Sequence, residues 1–145
     1  VAVAVLLHPR RVRRDPAAEA LELVEALTRY AALKRGWSAQ GLARFEETLG
    51  RMTWTGPTYL RYAVGRELAA RGDHQAAVRY LSSFTPYQWV PYVPAQYHLA
   101  RAYERLGQLD QAREHYRIFI GWWATADPEL EPWVEEARAA LARLS

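Results

Sequence analysis

The sequence predicts an all-α fold, a solenoid of helical hairpins with about three helix pairs and a terminal helix. Three observations lead there. Apolar residues recur at helical spacing on both sides of Gly107: Leu99, Ala100, Tyr103 and Leu106 before it, Leu109, Ala112, Tyr116 and Phe119 or Ile120 after it. Two amphipathic helices around a tight turn form a helical hairpin. The pattern also stands 35 residues upstream, where Leu68, Gly72, Ala77, Leu81 and Phe84 precede Tyr103, Gly107, Ala112, Tyr116 and Phe119. One hairpin of this size cannot cover both of its apolar stripes, so pairs repeating at a fixed step are expected to stack. Finally, Asp, Ser, Pro and Gly stand where the helices should begin and end.

The elements follow in order. Residues 1–14 form a basic linker or the remnant of a preceding repeat, and residues 15–145 form the helical repeat domain. Asp15 can cap the first helix, with Pro16 at its first position. Leu21, Val24 and Leu27, with Tyr30 and Ala31, make its apolar stripe, and Gly36 ends it. Ser38 can cap a second helix carrying Leu42, Phe45 and Leu49 on one face. Thr53–Pro57 is a turn. The third helix spans about 57–71, with Leu60, Val64 and Leu68 inward. Asp73 caps the fourth, about 74–84. Pro86, Pro91 and Pro94 cannot all lie inside a helix, since each lacks an amide donor. Pro94 suits the first turn of a fifth helix over about 94–106. The sixth covers about 109–124, and Asp127-Pro128 ends that pair. The last, about 129–144, carries Trp133, Val134, Ala137, Leu141 and Leu144 on one face and charges on the other, as the end of a stack requires.

A chain of 145 residues has the length of one domain. No apolar run reaches the roughly 18 residues that span a bilayer, so no membrane insertion is expected. The absence of Cys excludes disulfides, thiolate zinc sites and cysteine catalysis. Net charge is +3, but Arg10, Arg11, Arg13 and Arg14 cluster together. Without them, 15 Lys and Arg face 16 Asp and Glu, so the body is close to neutral. That cluster would give a modest, salt-dependent attraction to nucleic acid or acidic lipid, or serve as a solvated linker. No aromatic platform interleaves it, and nucleic acid is not the expected partner. The first residue is Val, which reads as a piece of a longer protein. The compartment stays open.

The layout resembles the tetratricopeptide repeat, whose pattern is W-x2-L-G-x2-Y followed by Ala and, four residues later, an aromatic. In the third pair the matching residues are Gln96, Leu99, Ala100, Tyr103, Ala112 and Tyr116. In the second they are Arg61, Val64, Gly65, Leu68, Ala77 and Leu81. Small residues at Gly65, Ala77, Ala100 and Ala112 allow close helix approach. Trp133 opens what resembles the terminal helix. The resemblance covers residues 57–145 and implies a right-handed solenoid that acts as a non-catalytic protein–protein interaction scaffold. Glu114–Phe119, Trp122, Ala126–Leu130 and the final helix are similar to the C-terminal repeats of large bacterial regulators, such as serine/threonine kinases and transcriptional activators. In those proteins the catalytic or DNA-binding part lies elsewhere in the chain.

In the family, the first helices of successive pairs line a concave groove. Tyr62 and Arg66 sit four apart on the third helix, and Tyr97 and Arg101 repeat them 35 residues later, so each pair shares a helix face. Arg105 lies one turn beyond Arg101. Arg donates paired hydrogen bonds to carboxylates, and Tyr offers a flat apolar body with a polar tip. The resemblance thus implies a groove for a protein or peptide partner bearing acidic groups, lined by Tyr62, Arg66, Tyr97, Arg101 and Arg105. The bland alternative is that both pairs are solvated residues copied with the repeat. The Lys and Asn of the family's carboxylate clamp are absent from the matching positions. A different class of function is self-association, in which repeats pack against other repeats of the same protein.

Other constellations point less far. Tyr87, Trp89, Tyr92, Trp122 and Trp123 could form a binding surface or fill seams between pairs. Trp122 is expected to be at least partly buried and Trp89 more exposed. His74, His98 and His115 lack the spacing of a metal pair and have no Cys neighbour. His98 and His115 are expected to approach each other across the third hairpin. No phosphate loop, G-x-S-x-G or H-E-x-x-H is present. Glu46-Glu47 and Glu135-Glu136 are adjacent on helices and do not converge. No cofactor, metal, small-molecule substrate or catalytic residue is expected.

Overall fold

A computed structural model describes residues 15–52, 58–125 and 128–144, leaving aside the side chains of Gln88 and Trp89. Among the described residues there are seven α-helices, one 3-10 turn and no strand. The helices are α1 (Pro16–Arg35), α2 (Ala39–Arg51), α3 (Thr58–Ala70), α4 (His74–Leu81), α5 (Trp89–Arg105), α6 (Leu109–Trp122) and α7 (Glu131–Arg143). The 3-10 turn, Pro86–Gln88, precedes α5. The chain divides into two compact units, one ending at Gly56 and one starting at Pro57. The second coincides with the stretch that carries the 35-residue pattern.

In the first unit α1 and α2 form a hairpin. The Asp15 side chain accepts from the Ala17 amide, and Ser38 accepts from the Gly41 amide. Both ends are thus satisfied locally, as caps require. The apolar stripe expected on α1 is not the face it buries. Leu21, Val24 and Leu27 are 71%, 59% and 48% exposed, whereas Ala26 and Leu33 are buried and Tyr30 packs on Phe45. Apolar residues lie on more than one side of α1, and α2 covers only one of them. On α2, Phe45, Thr48 and Leu49 face that contact.

The second unit is a stack of pairs. Helix α3 packs on α4 and α5 on α6, while α4 and α3 each touch α5 and α6 touches α7. Both turns use the same device. Gly72 and Gly107 have φ of 86° and 73°, a region that other residues enter only with strain. The Asp73 amide donates to Leu68 O and the Gly72 amide to Ala69 O; Gln108 and Gly107 repeat this with Tyr103 O and Glu104 O. These are paired Schellman closures, which satisfy the last carbonyls of α3 and α5. Asp73 then caps α4 by accepting from the Ala76 amide. Gly65 matters for packing: a Cβ there would lie 2.8 Å from Leu81 Cγ, so α3 and α4 touch backbone to side chain.

Helix α5 starts at Trp89, five residues earlier than expected, and contains Pro94. Pro91 sits in the first turn, where amides have no partner to lose. Pro94 forfeits one hydrogen bond, but Val93 and Ala95 beside it are almost fully buried. Packing of this segment outweighs the missing bond. Helix α4 ends three residues sooner than expected, yet Phe84 beyond it is still buried. The core between α5, α6 and α7 is built from Val93, Tyr97, Ala100, Tyr116, Phe119, Val134, Ala137 and Ala140. The Thr53–Pro57 turn, the Arg10–Arg14 cluster, Ala126 and Asp127 lie outside the described residues.

Candidate functional site

The 35-residue step puts corresponding residues of α3 and α5 side by side. Arg66 Cζ lies 5.6 Å from the Tyr62 ring centroid, and Arg101 Cζ lies 5.5 Å from the Tyr97 centroid. Each guanidinium sits over the ring one turn earlier, a cation–π contact worth about 0.5–1 kcal/mol where solvent reaches it. Arg101 Nη1 also donates to the Tyr97 hydroxyl over 3.2 Å. Both arginines are exposed at their heads. They are held charges rather than free ones.

The tyrosines are not equivalent. Tyr62 is half-buried, with its ring against Phe84 and His98. Tyr97 is 3% exposed. Its ring stacks on Trp133 of α7, centroids 5.1 Å apart and planes 28° apart, and touches Phe119 and His98. Tyr97 therefore supports Arg101 from beneath and offers no open face of its own. Burial, then the neighbouring Glu136 carboxylate, pushes its hydroxyl up to about 12.

Arg66, Arg101 and Arg105 share a cavity of about 460 Å3 with His74, His98 and the small residues Ala69, Ala70, Gly72 and Ala102. Among the described residues, no acidic one lines it. Arg101 has Glu136 of α7 at 3.8 Å; among the described residues, Arg66 and Arg105 have no carboxylate within ion-pair distance. His98 Nε2 and His74 Nδ1 are buried without a hydrogen-bond partner. Burial first, then the Arg66 and Arg101 charges, push the His98 imidazole down to about 4, so it is neutral at pH 7. The cavity is thus lined by three arginines, two of them held over tyrosine rings, and by two histidines that each keep a buried, unpartnered ring nitrogen.

His98 and His115 have separate surroundings. His98 lies among Tyr62, Tyr97 and Trp133. His115 stacks on Tyr103, with Nδ1 2.7 Å from Oε1 of the buried Gln96. Gln96 occupies the motif's Trp position and bridges α5 to α6 there. Among the described residues no group of three His, Cys, Asp or Glu could hold a metal ion. No described helix is long and apolar enough to cross a membrane. Of the aromatic stretch, Tyr87 is almost fully exposed and Trp122 is 53% exposed with its edge on Tyr92. Trp123 is better covered, against Phe119. The Trp89 side chain lies outside the described ones.

Sequence reasoning weighed His74 and His98 only as metal candidates; what it missed is that they line the arginine cavity and keep unpartnered ring nitrogens. The available signal was position: His74 follows the cap Asp73, one turn away from the C-terminus of α3.

Residues 94–121 match the family model of the tetratricopeptide repeat. That stretch is α5 from Pro94 onward, its turn and nearly all of α6, so one wall of the cavity belongs to it. No curated protein and no solved structure matches the chain.

Proposed function

We propose that this chain is a protein-interaction module within a larger regulatory or assembly protein, and that the cavity between α3 and α5 anchors an acidic peptide or an acidic segment of a partner. Tetratricopeptide repeats generally mediate protein–protein contacts, and one hairpin here matches that family. The observation that carries the reading is the charge of the cavity: three arginines and, among the described residues, no acidic lining. Arg66 and Arg105 supply unpaired forks for carboxylates. Arg101 supplies a third, aimed by the Tyr97 hydroxyl. Tyr62 is not among the lining residues and serves through its ring, over which the Arg66 guanidinium is held. The work assigned to these groups is recognition, with no bond made or broken. The likeness of residues 114–130 to the ends of large bacterial regulators supports the larger context, with residues 15–145 as its repeat domain.

The test is the double variant Arg66→Ala with Arg101→Ala, titrated with a polyglutamate peptide. Truncating charges that pair with a ligand should weaken binding by roughly 2–5 kcal/mol, with an unchanged circular dichroism spectrum. Equal binding by the folded variant removes the reading.

A second reading, self-association, is favoured by α1. Leu21, Leu23, Val24 and Leu27 leave an apolar face uncovered, and such faces mark contact surfaces. Light scattering should then show dimers or larger species, and Leu23→Glu with Leu27→Glu should return a monomer. A monomer at every concentration excludes it.

A further inference from the structure

The charge in the cavity exceeds what one carboxylate can match. Arg66 lines it from α3, and Arg101 and Arg105 from α5, the first helices of two successive pairs. Arg66 and Arg101 are pre-aimed by their rings, at 5.6 and 5.5 Å. Two further polar atoms in the lining residues, His98 Nε2 and His74 Nδ1, are buried with nothing to bond. An unpartnered buried polar atom costs about 1–3 kcal/mol, so the protein itself leaves both imidazoles of the lining unsatisfied. Ala69 and Ala102 keep the space between the guanidiniums free of bulk.

We infer that the cavity receives one doubly charged tetrahedral oxyanion, the phosphoryl group of a phosphorylated side chain on the partner peptide. This rests on the groove reading above and narrows its ligand. A phosphoryl group carries about −1.5 to −2 charge and three acceptor oxygens, which the three arginines can share. A carboxylate brings one charge and two oxygens, and leaves at least one guanidinium uncompensated. Arg forks suit such oxygens in pairs. Burial first, then the Arg66 and Arg101 charges, keep the His98 ring neutral, so it adds nothing to the repulsion among the three cations.

The experiment uses the whole chain, labelled with 15N, and three probes at equal ionic strength. They are inorganic phosphate, acetate, and a short acidic peptide carrying one phosphoserine or a Glu in its place. Phosphate, and not acetate, should shift the Arg66, Arg101 and Arg105 side-chain signals and the His98 ring. The phosphoserine peptide should bind about tenfold more tightly than the Glu peptide. Arg105→Gln, at an exposed position where folding is not at risk, should erase that preference. Two peptides bound equally well overturn the inference and leave the groove standing. Neither peptide bound overturns the groove, and the inference with it. Phosphate bound without any preference between the peptides means an adventitious ion only, and also overturns the inference.

Discussion

Arg101 Nη1 lies 3.8 Å from Glu136 Oε1, and the two residues stand 35 apart in sequence, the step that also separates Arg66 from Arg101. The ladder along the first helices of the repeat therefore changes sign at its third rung. Glu136 sits where a third arginine would continue the row, and it holds part of Arg101's charge. On the proposed function, an acidic ligand would be confined to the Arg66–Arg105 end of the groove.

Glu136→Gln should release Arg101 and tighten polyglutamate binding. The pair is half-exposed, so its worth is about 0.2–1 kcal/mol, or at most roughly fivefold in affinity. Isothermal titration would show it. Weaker binding would mean that Glu136 positions Arg101 instead of competing for it.

Gly65→Ala should destabilise the chain by about 1–3 kcal/mol, because its methyl group collides with Leu81. Gly50→Ala is the control. It lies in α2 with nothing within 4 Å of its added Cβ, so helix propensity should stabilise it by up to about 1 kcal/mol. Urea unfolding midpoints of the two variants should move in opposite directions.

Trp133→Ala removes the ring that covers Tyr97 and should cost about 2–4 kcal/mol. It should also loosen Arg101 and weaken acidic-peptide binding without touching the ligand. Thermal unfolding and titration together check both effects.

Stability should fall on acidification. His98 has a folded-state pKa of about 4, below its ordinary 6.5, so the unfolded chain binds the proton more readily. Its contribution is whole above about pH 6.5 and fades as pH drops toward 4. The loss is on the order of 3 kcal/mol. His115, also held down by burial, acts in the same direction. Urea unfolding between pH 7 and pH 4 measures the slope, and His98→Phe should flatten it.

Local chemistry was legible in the sequence. Asp15, Ser38 and Asp73 cap the helices they were expected to cap, and Gly72 and Gly107 close the turns, because each needs only its chain neighbours. The 35-residue step placed Gly65 against Leu81 for the same reason that it paired Ala100 with Tyr116 in one core. What escaped was set by distant partners. Helix α1 has apolar residues on several sides, and only the position of α2 selects Ala26 and Leu33. Tyr97 is covered because Trp133, 36 residues away, lands on it. Pro94 inside α5 is tolerated because its neighbours are packed, which a rule about proline alone misses.

The most direct measurement is the footprint of an acidic peptide on the amide spectrum of the whole chain. The largest shifts should fall on residues 66–70 and 98–105, around the three arginines. Shifts concentrated on α1 from Leu21 to Leu27, or at Tyr87 and Trp122, would contradict a binding site built by Arg66, Arg101 and Arg105.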